Sequence, residues 1–405
     1  MRGLRLAQPT ARLPRRLARG LVGGNARWAP QPSAELSAEG LERTVCAVGA
    51  ALHLQRTVPS LFAHGLAVEA LAVTPPTGTA HIGSSLASRL ATQDTADGLR
   101  AKLGLYPSAK GLPPLRCLAP EAVHASDDFR YVFISGPPFW RAELATLSLR
   151  AGKDVVVAPP VTHAEWEALC ELSALEGRHV VLYNEFAFSP AVAALREVVD
   201  DGTLGPAADL RFRLDLRPPL CCTDGHPTDD ERAAPDSWWR SRARGGGALG
   251  AAGVQAFELL GRLGGAVSAV RADGVGAASD AAPEAVAFEA RFASGAAAEV
   301  SLDWRADAAG AAHSAVRVHG SDGHAILDLV TGRLDLHDGE QPGGVPIEAA
   351  TARGFIDEAH AILANELMST QASGVSIRED STQASYAASD AVYRSLDGGG
   401  AWEAT

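Results

Sequence analysis

Residues 131–157 read YVFISGPPFWRAELATLSLRAGKDVVV. Tyr131-Val132-Phe133-Ile134 is an apolar run without alternation, the pattern of a strand buried on both faces of a parallel sheet. Gly136-Pro137-Pro138 stops it. The spacing predicts a helix from Arg141 to Arg150, ended by Ala151-Gly152, and a second buried strand at Asp154-Val155-Val156-Val157. Strand, helix and strand of these lengths form one crossover unit of a parallel sheet.

The same rhythm extends in both directions. Upstream, Thr44-Val45-Cys46-Ala47-Val48-Gly49 and Val68–Val73 read as strands, with a helix over Leu52–Phe62 between them. Downstream, a helix over Thr162–Glu176 has Thr162 as its N-cap and Glu165 three residues on, the pattern of a capping box. Val180-Val181-Leu182-Tyr183 is a further strand. Past Pro190 the rhythm stops. After a helix over Ala191–Asp200 come short strand-like runs at Ala285–Phe292, Ala296–Trp304, Ala315–His319 and His324–Leu329, joined by turns such as Ser294-Gly295 and Asp322-Gly323. An antiparallel meander fits them, and helices at Gly354–Met368 and Asp380–Leu396 close the chain. The expected class is α/β: a doubly wound parallel sheet over 41–186, then an α+β domain over 187–405 with a large open, mostly antiparallel sheet.

The chain's 405 residues suit two domains. Apolar residues at 46% and charged residues at 21% exclude a largely disordered or fibrous protein. No apolar run reaches the roughly 18–20 residues of a membrane-spanning helix. Net charge is −12, but residues 1–34 hold seven arginines and no acid, so the remainder carries 29 basic against 48 acidic groups, or −19. An acidic body repels phosphate backbones, which argues against nucleic acid as a partner. The arginine-rich segment within residues 1–40 has the composition of an organellar transit peptide for mitochondrion or plastid. A disordered basic extension on a cytoplasmic protein is the other reading, and both stay open. Cys46, Cys117, Cys170, Cys221 and Cys222 are odd in number and fit no zinc spacing, which suits reduced thiols in a reducing compartment.

Ligands of an open parallel sheet bind beyond the carboxyl ends of its strands. The first such turn follows Val48, where a dinucleotide fingerprint needs glycines in G-x-G-x-x-G spacing. Here those positions are Gly49, Ala51 and Leu54. The Ala51 methyl stands where the diphosphate approaches, and Leu54 adds bulk where helix and strand pack. The second strand ends in Thr74-Pro75-Pro76 rather than an acid for the ribose.

From Val45 onward the chain resembles the glucose–fructose oxidoreductase / inositol dehydrogenase family (Gfo/Idh/MocA). The resemblance rests on residues 131–138 and 151–157, Phe188-Ser189-Pro190, Asp201-Gly202-Thr203-Leu204-Gly205, Trp239-Arg240, Gly245-Gly246-Gly247-Ala248-Leu249 and Gly320-Ser321-Asp322-Gly323, in order over some 350 residues. It implies an N-terminal Rossmann domain for NAD or NADP, with Gly49, Ala51, Thr74, Gly136 and Pro137 along the cofactor. It also implies a sugar or cyclitol as the small-molecule ligand, Trp239, Arg240 and Gln255 on the substrate side, and a homo-oligomer through the C-terminal sheet.

Carried over residue by residue, the family's catalytic set is absent. Its Glu-Lys-Pro motif falls on Ala158-Pro159-Pro160, so the lysine is Pro159. Its Asp-x-Gly-x-His motif falls on residues 251–255, so the acid is Ala251 and the histidine Gln255, four apart on one helical face. An amide cannot accept the proton that hydride removal from a carbinol leaves, and loss of such a base typically costs ~10²–10⁴ in rate. Glu258 matches a family acid by type only. The chain has three lysines, Lys102, Lys110 and Lys153, and Lys153 precedes Pro159 by six residues, roughly 20 Å along a strand. His53 reads as a helix-surface residue and His226 as a loop residue. His163 reads as a solvated helix start or a side chain facing the cofactor cleft. No histidine pair has metal-ligand spacing along the chain. Two functions remain: a family member without its chemistry, serving as a ligand-binding or interaction module, or an NAD(P)-dependent sugar or cyclitol dehydrogenase with other catalytic groups.

Overall fold

The computed structural model describes residues 44–49, 67–73, 116–118, 122–123, 126, 129–135, 138–184, 186, 189–216, 238–273, 281–304, 314–338, 345–347 and 379–405. The basic segment and the expected helices at 52–62 and 354–368 lie outside these residues.

The first sheet contains β1 (Thr44–Gly49), β2 (Ala67–Val73), β3 (Arg116–Leu118), β4 (Tyr131–Ser135), β5 (Asp154–Val157) and β6 (Val180–Leu182), in the order β3-β2-β1-β4-β5-β6. Every pairing is parallel. That order reverses direction between β1 and β4, the switch point of a doubly wound sheet. There Gly49 is in register with Ser135. Helix α1 (Pro138–Arg150) follows β4 and begins three residues before the expected start. Proline's fixed φ and missing N–H suit the first helical turn. Helix α2 (His163–Glu176) starts as its sequence predicts: the Glu165 N–H donates to the Thr162 hydroxyl, and the Glu165 carboxylate accepts from the Thr162 N–H at 2.8 Å. Helix α3 (Pro190–Asp200) is capped by Ser189 and buries Val192, Leu195 and Val198.

The second sheet has nine strands in the order β14-β13-β12-β11-β7-β10-β9-β8-β15. They are β7 (Arg211–Leu216), β8 (Val267–Asp273), β9 (Ala285–Phe292), β10 (Ala297–Asp303), β11 (Ala315–His319), β12 (Gly323–Asp328), β13 (Leu334–Asp338), β14 (Val345–Ile347) and β15 (Glu403–Ala404). The expected plain meander needs correction. β7 lies between β10 and β11, antiparallel to β11 and parallel to β10. Since β10 and β11 run in opposite directions, any strand between them must run parallel to one. The Arg-Phe-Arg-Leu-Asp-Leu alternation of β7 turns Phe212, Leu214 and Leu216 into the core.

Helix α4 (Gly247–Gly264) lies against this sheet, with Phe257 stacked on Phe288 of β9 at 5.1 Å. Its entry explains the triple glycine. A Cβ at Gly246 would overlap the carbonyls of Trp238 and Trp239, and Gly247 has φ +73 with the Pro283 carbonyl 2.6 Å from where its Cβ would be. Helix α5 (Glu379–Asp397) runs beside α4, and a Cβ at Gly253 would come within 2.6 Å of the Ser389 hydroxyl. The core of the first sheet, built from Ile134, Trp140, Leu144, Val157 and Trp166, also takes in Val254 of α4 and Tyr386 of α5.

Candidate functional site

The candidate site lies where the carboxyl ends of β5 and β6 meet the start of α4. Beyond β5 the chain runs through buried Ala158, Pro159 and Pro160, with a cis peptide between the prolines. Arg141 of α1, fully buried, donates through Nη1 to the Ala158 carbonyl at 3.0 Å and the Pro160 carbonyl at 3.5 Å. The Tyr386 hydroxyl donates to the Val161 carbonyl at 2.8 Å. Burial of the ring raises the Tyr386 pKa well above the ordinary phenol value, with nearby carboxylates, Glu258 first, adding to it. It is a fixed donor at neutral pH. The turn into α4 closes on this loop: a Cβ at Gly245 would sit 3.7 Å from Pro160 and 3.6 Å from the Thr162 methyl.

Along α4, Ala251, Gln255 and Glu258 share one face. Gln255 is 1% exposed, and neither atom of its side-chain amide has a hydrogen-bond partner among the described residues. Glu258 is buried and fully engaged. One carboxylate oxygen accepts from Asn184 Nδ2 at 2.6 Å, the other from the Thr382 hydroxyl at 2.5 Å. Asn184 follows β6, and its own Oδ1 accepts the Phe186 N–H at 3.1 Å. Burial raises the Glu258 pKa above the ordinary carboxylate value, against the pull of the Thr382 and Asn184 hydrogen bonds and of Arg262. The sequence offered Glu258 only as an acid of the right type. Asn184 and Thr382, the partners that hold it, went unnoticed, although a polar residue directly after the apolar run VVLY is what the carboxyl end of a ligand-facing strand presents.

The other expected residues are placed as follows. Gly49 ends β1, while Ala51, Thr74, Gly136, Pro137, His53, His226, Lys102 and Lys110 lie outside the described residues. Pro159, Ala251 and Gln255 are all buried, on elements that converge at one end of the first sheet. Trp239 is 1% exposed, with its indole N–H donating to Glu284 at 3.3 Å, and Arg240 is exposed. Lys153 lies just before β5, 5.3 Å from the centroid of the Phe129 ring, at the opposite sheet edge from Pro159.

Neither reading of His163 survives. The ring faces α5, with Nδ1 2.6 Å from Asp390 and Nε2 2.9 Å from the side-chain amide of Gln383, and it stacks on Tyr386 at 5.3 Å. A helix-start histidine found a charged partner some 227 residues away, which the local sequence does not encode.

A parallel sheet in this strand order is doubly wound and of Rossmann type, and here it is followed by a large open sheet. Residues 192–326 match the GFO/IDH/MocA C-terminal domain. Over these residues the resemblance to the Gfo/Idh/MocA family read from the sequence is borne out. The uncharacterized oxidoreductase sll0816 of Synechocystis sp. is 30% identical over 142 residues, covering 35% of this chain and 36% of that protein. This match therefore spans about a third of that relative's length.

Solved structures of similar fold include levoglucosan dehydrogenase in complex with NADH and levoglucosan, at TM-score 0.65 and 18% identity, over 89% of this chain and 98% of that one. An oxidoreductase from Agrobacterium radiobacter in complex with NAD+, L-tartaric acid and magnesium gives 0.62 and 12%, over 90% and 98%. An NAD binding oxidoreductase from Klebsiella pneumoniae gives 0.64 and 16%, over 89% and 98%. At these identities the likeness is one of fold.

Proposed function

We propose that this chain is a small-molecule-binding member of the Gfo/Idh/MocA family that has lost the family's proton-transfer chemistry, with residues 41–186 as the dinucleotide-binding domain and 187–405 as the substrate-side and subunit-contact domain. The observation that carries this reading is the α4 face. The position where the resemblance implies a catalytic histidine holds Gln255, a buried amide with no hydrogen-bond partner among the described residues. Buried amides are nearly always hydrogen-bonded, and an orphan one costs about 1–3 kcal/mol. A neutral ligand with a hydroxyl offers both the donor and the acceptor that an amide lacks. Pro159 and Ala251 supply no group that titrates, so the positions of the family's catalytic set hold no base for a carbinol bound there.

The strand order supports a dinucleotide at the switch point, where ligands of a doubly wound sheet bind. β1 ends in Gly49 at the switch point beside Ser135. A bound nicotinamide would supply hydride transfer, and this chain's own residues there would position and enclose it.

The test uses the purified full chain. NADH and NADPH are titrated while nicotinamide fluorescence and the thermal midpoint are followed, then a panel of sugars and cyclitols is offered with NAD+ and NADP+. Cofactor binding without turnover is expected, and turnover at a rate ordinary for dehydrogenases would overturn the reading. The triple variant Pro159→Lys/Ala251→Asp/Gln255→His should then gain polyol-dependent reduction of NAD+.

A second reading is favoured by Glu258. A buried acid with a raised pKa beside the strand ends is the type of group an active site uses as a base. Under that reading the protein is an NAD(P)-dependent sugar or cyclitol dehydrogenase, and Glu258→Gln abolishes whatever turnover the wild type has.

A further inference from the structure

The outer face of the nine-stranded sheet carries side chains that the candidate site does not use. On β11 and β12, Val316, Val318, Ala325 and Leu327 turn into the core, as do Leu334 and Leu336 on β13. His319, His324 and His337 therefore stand on the opposite face, the first exposed and the other two half-buried. Register makes them neighbours, with His319 opposite His324 and His324 opposite His337. The rings of His324 and His337 stack at 4.3 Å and 9°, and those of His319 and His324 at 5.6 Å and 22°. Among the described residues no side-chain hydrogen bond engages any of the three, so their ring lone pairs are not taken up by those residues.

We propose that His324 and His337 form a binding site for one divalent transition-metal ion of the Zn2+, Cu2+ or Ni2+ class, with water completing its coordination. A metal–imidazole bond is about 2.0–2.1 Å, so two nitrogens on one ion lie roughly 3–4 Å apart. With the ring centroids 4.3 Å apart on directly paired residues, side-chain rotation is the movement that would bring one nitrogen of each ring to that spacing. His319 and His337 are two strands apart, roughly 10 Å, so one ion cannot take all three. In agreement, no three ligand side chains among the described residues converge on one point. Asp335 shares the face, but its carboxylate is held by Arg333 at 2.9 Å and is not counted as a ligand. Imidazole selects this metal class over Mg2+ and Ca2+, which prefer oxygen ligands.

The experiment needs untagged full-length protein, stripped with a chelator and titrated with Zn2+ against a chromophoric competitor. The twelve histidines and five cysteines of the chain make the variants the deciding arm. Wild type should hold one more equivalent of Zn2+ than His324→Ala or His337→Ala, with affinity at that equivalent falling at least tenfold in either variant and staying within twofold in His319→Ala. Circular dichroism checks each variant's fold, and His324→Gln or His337→Gln replaces any alanine variant that fails it. Wild type and His324→Ala binding Zn2+ identically would overturn the proposal, as would equal losses in all three variants. Neither outcome bears on cofactor binding, so this proposal stands or falls apart from the functional reading.

Discussion

Gln255 and Glu258, one helical turn apart, make opposite predictions. Gln255 has a buried amide without a partner among the described residues, so an apolar side chain of like volume should be better tolerated in the free protein. Gln255→Met is expected to raise stability by about 1–3 kcal/mol in the absence of ligand, read from the shift of a urea midpoint. A lower midpoint would mean that the amide is satisfied within the chain, and the binding role assigned to it would fail. Burial raises the Glu258 pKa, so the folded state binds its proton more tightly than the unfolded state does. Its contribution to stability is then fully present below the unfolded carboxylate value and is lost as pH rises through the folded value. Glu258→Gln cannot titrate, while an amide can still accept from Asn184 and bond to Thr382. The wild-type thermal midpoint should fall between pH 5 and pH 8 by more than that of Glu258→Gln, the two differing by at most ~1.4 kcal/mol for each pH unit. Parallel curves would show that Glu258 ionises as freely as in water. The identities at 159, 251 and 255 were legible in the sequence because motif spacing places them. That Gln255 has no partner among the described residues was not, since it depends on everything else around α4.

Among elements, those fixed by neighbours in sequence were read correctly and those fixed by distant chain were not. Thr162 and Glu165 cap α2 as their spacing predicts, because a capping box closes within four residues. Thr162→Ala should cost about 1 kcal/mol, read from the same urea midpoint. His163 lies next to that cap, yet its role depends on Asp390 and Gln383 of α5. β7 escaped notice although its alternation is clean, because only the later strands reveal the slot between β10 and β11 that it fills. The histidine row is the same kind of case. His324 and His337 are 13 positions apart, which means nothing until antiparallel register sets them face to face. The α2–α5 contact can be probed with Tyr386→Phe, which removes the hydroxyl that donates to Val161. Loss of about 1 kcal/mol is expected, together with faster amide exchange along α2 than along α3. Equal acceleration in both helices would place the effect in global stability.

Across the whole molecule, the core of the first sheet reaches beyond the point where the sequence rhythm changes. The composition changes near residue 190, yet the core of the first sheet is completed by Val254 and Tyr386, contributed from far beyond that point. Helix α5, near the end of the chain, therefore packs against α4, holds α2 through His163 and holds the loop after β5 through Tyr386. A chain cut at residue 186 would expose the surfaces of Trp166 and Val161 that Tyr386 covers, and would leave the Val161 carbonyl without its donor. Residues 41–186 expressed alone should lack a cooperative thermal transition, and the full chain should unfold the described parts of both sheets together. Calorimetry on the two proteins is the measurement. A fragment that melted sharply near the full chain's midpoint would show that the first sheet is self-sufficient. The contacts from α4 and α5 would then serve to present Gln255 and Glu258 at the strand ends rather than to complete a core.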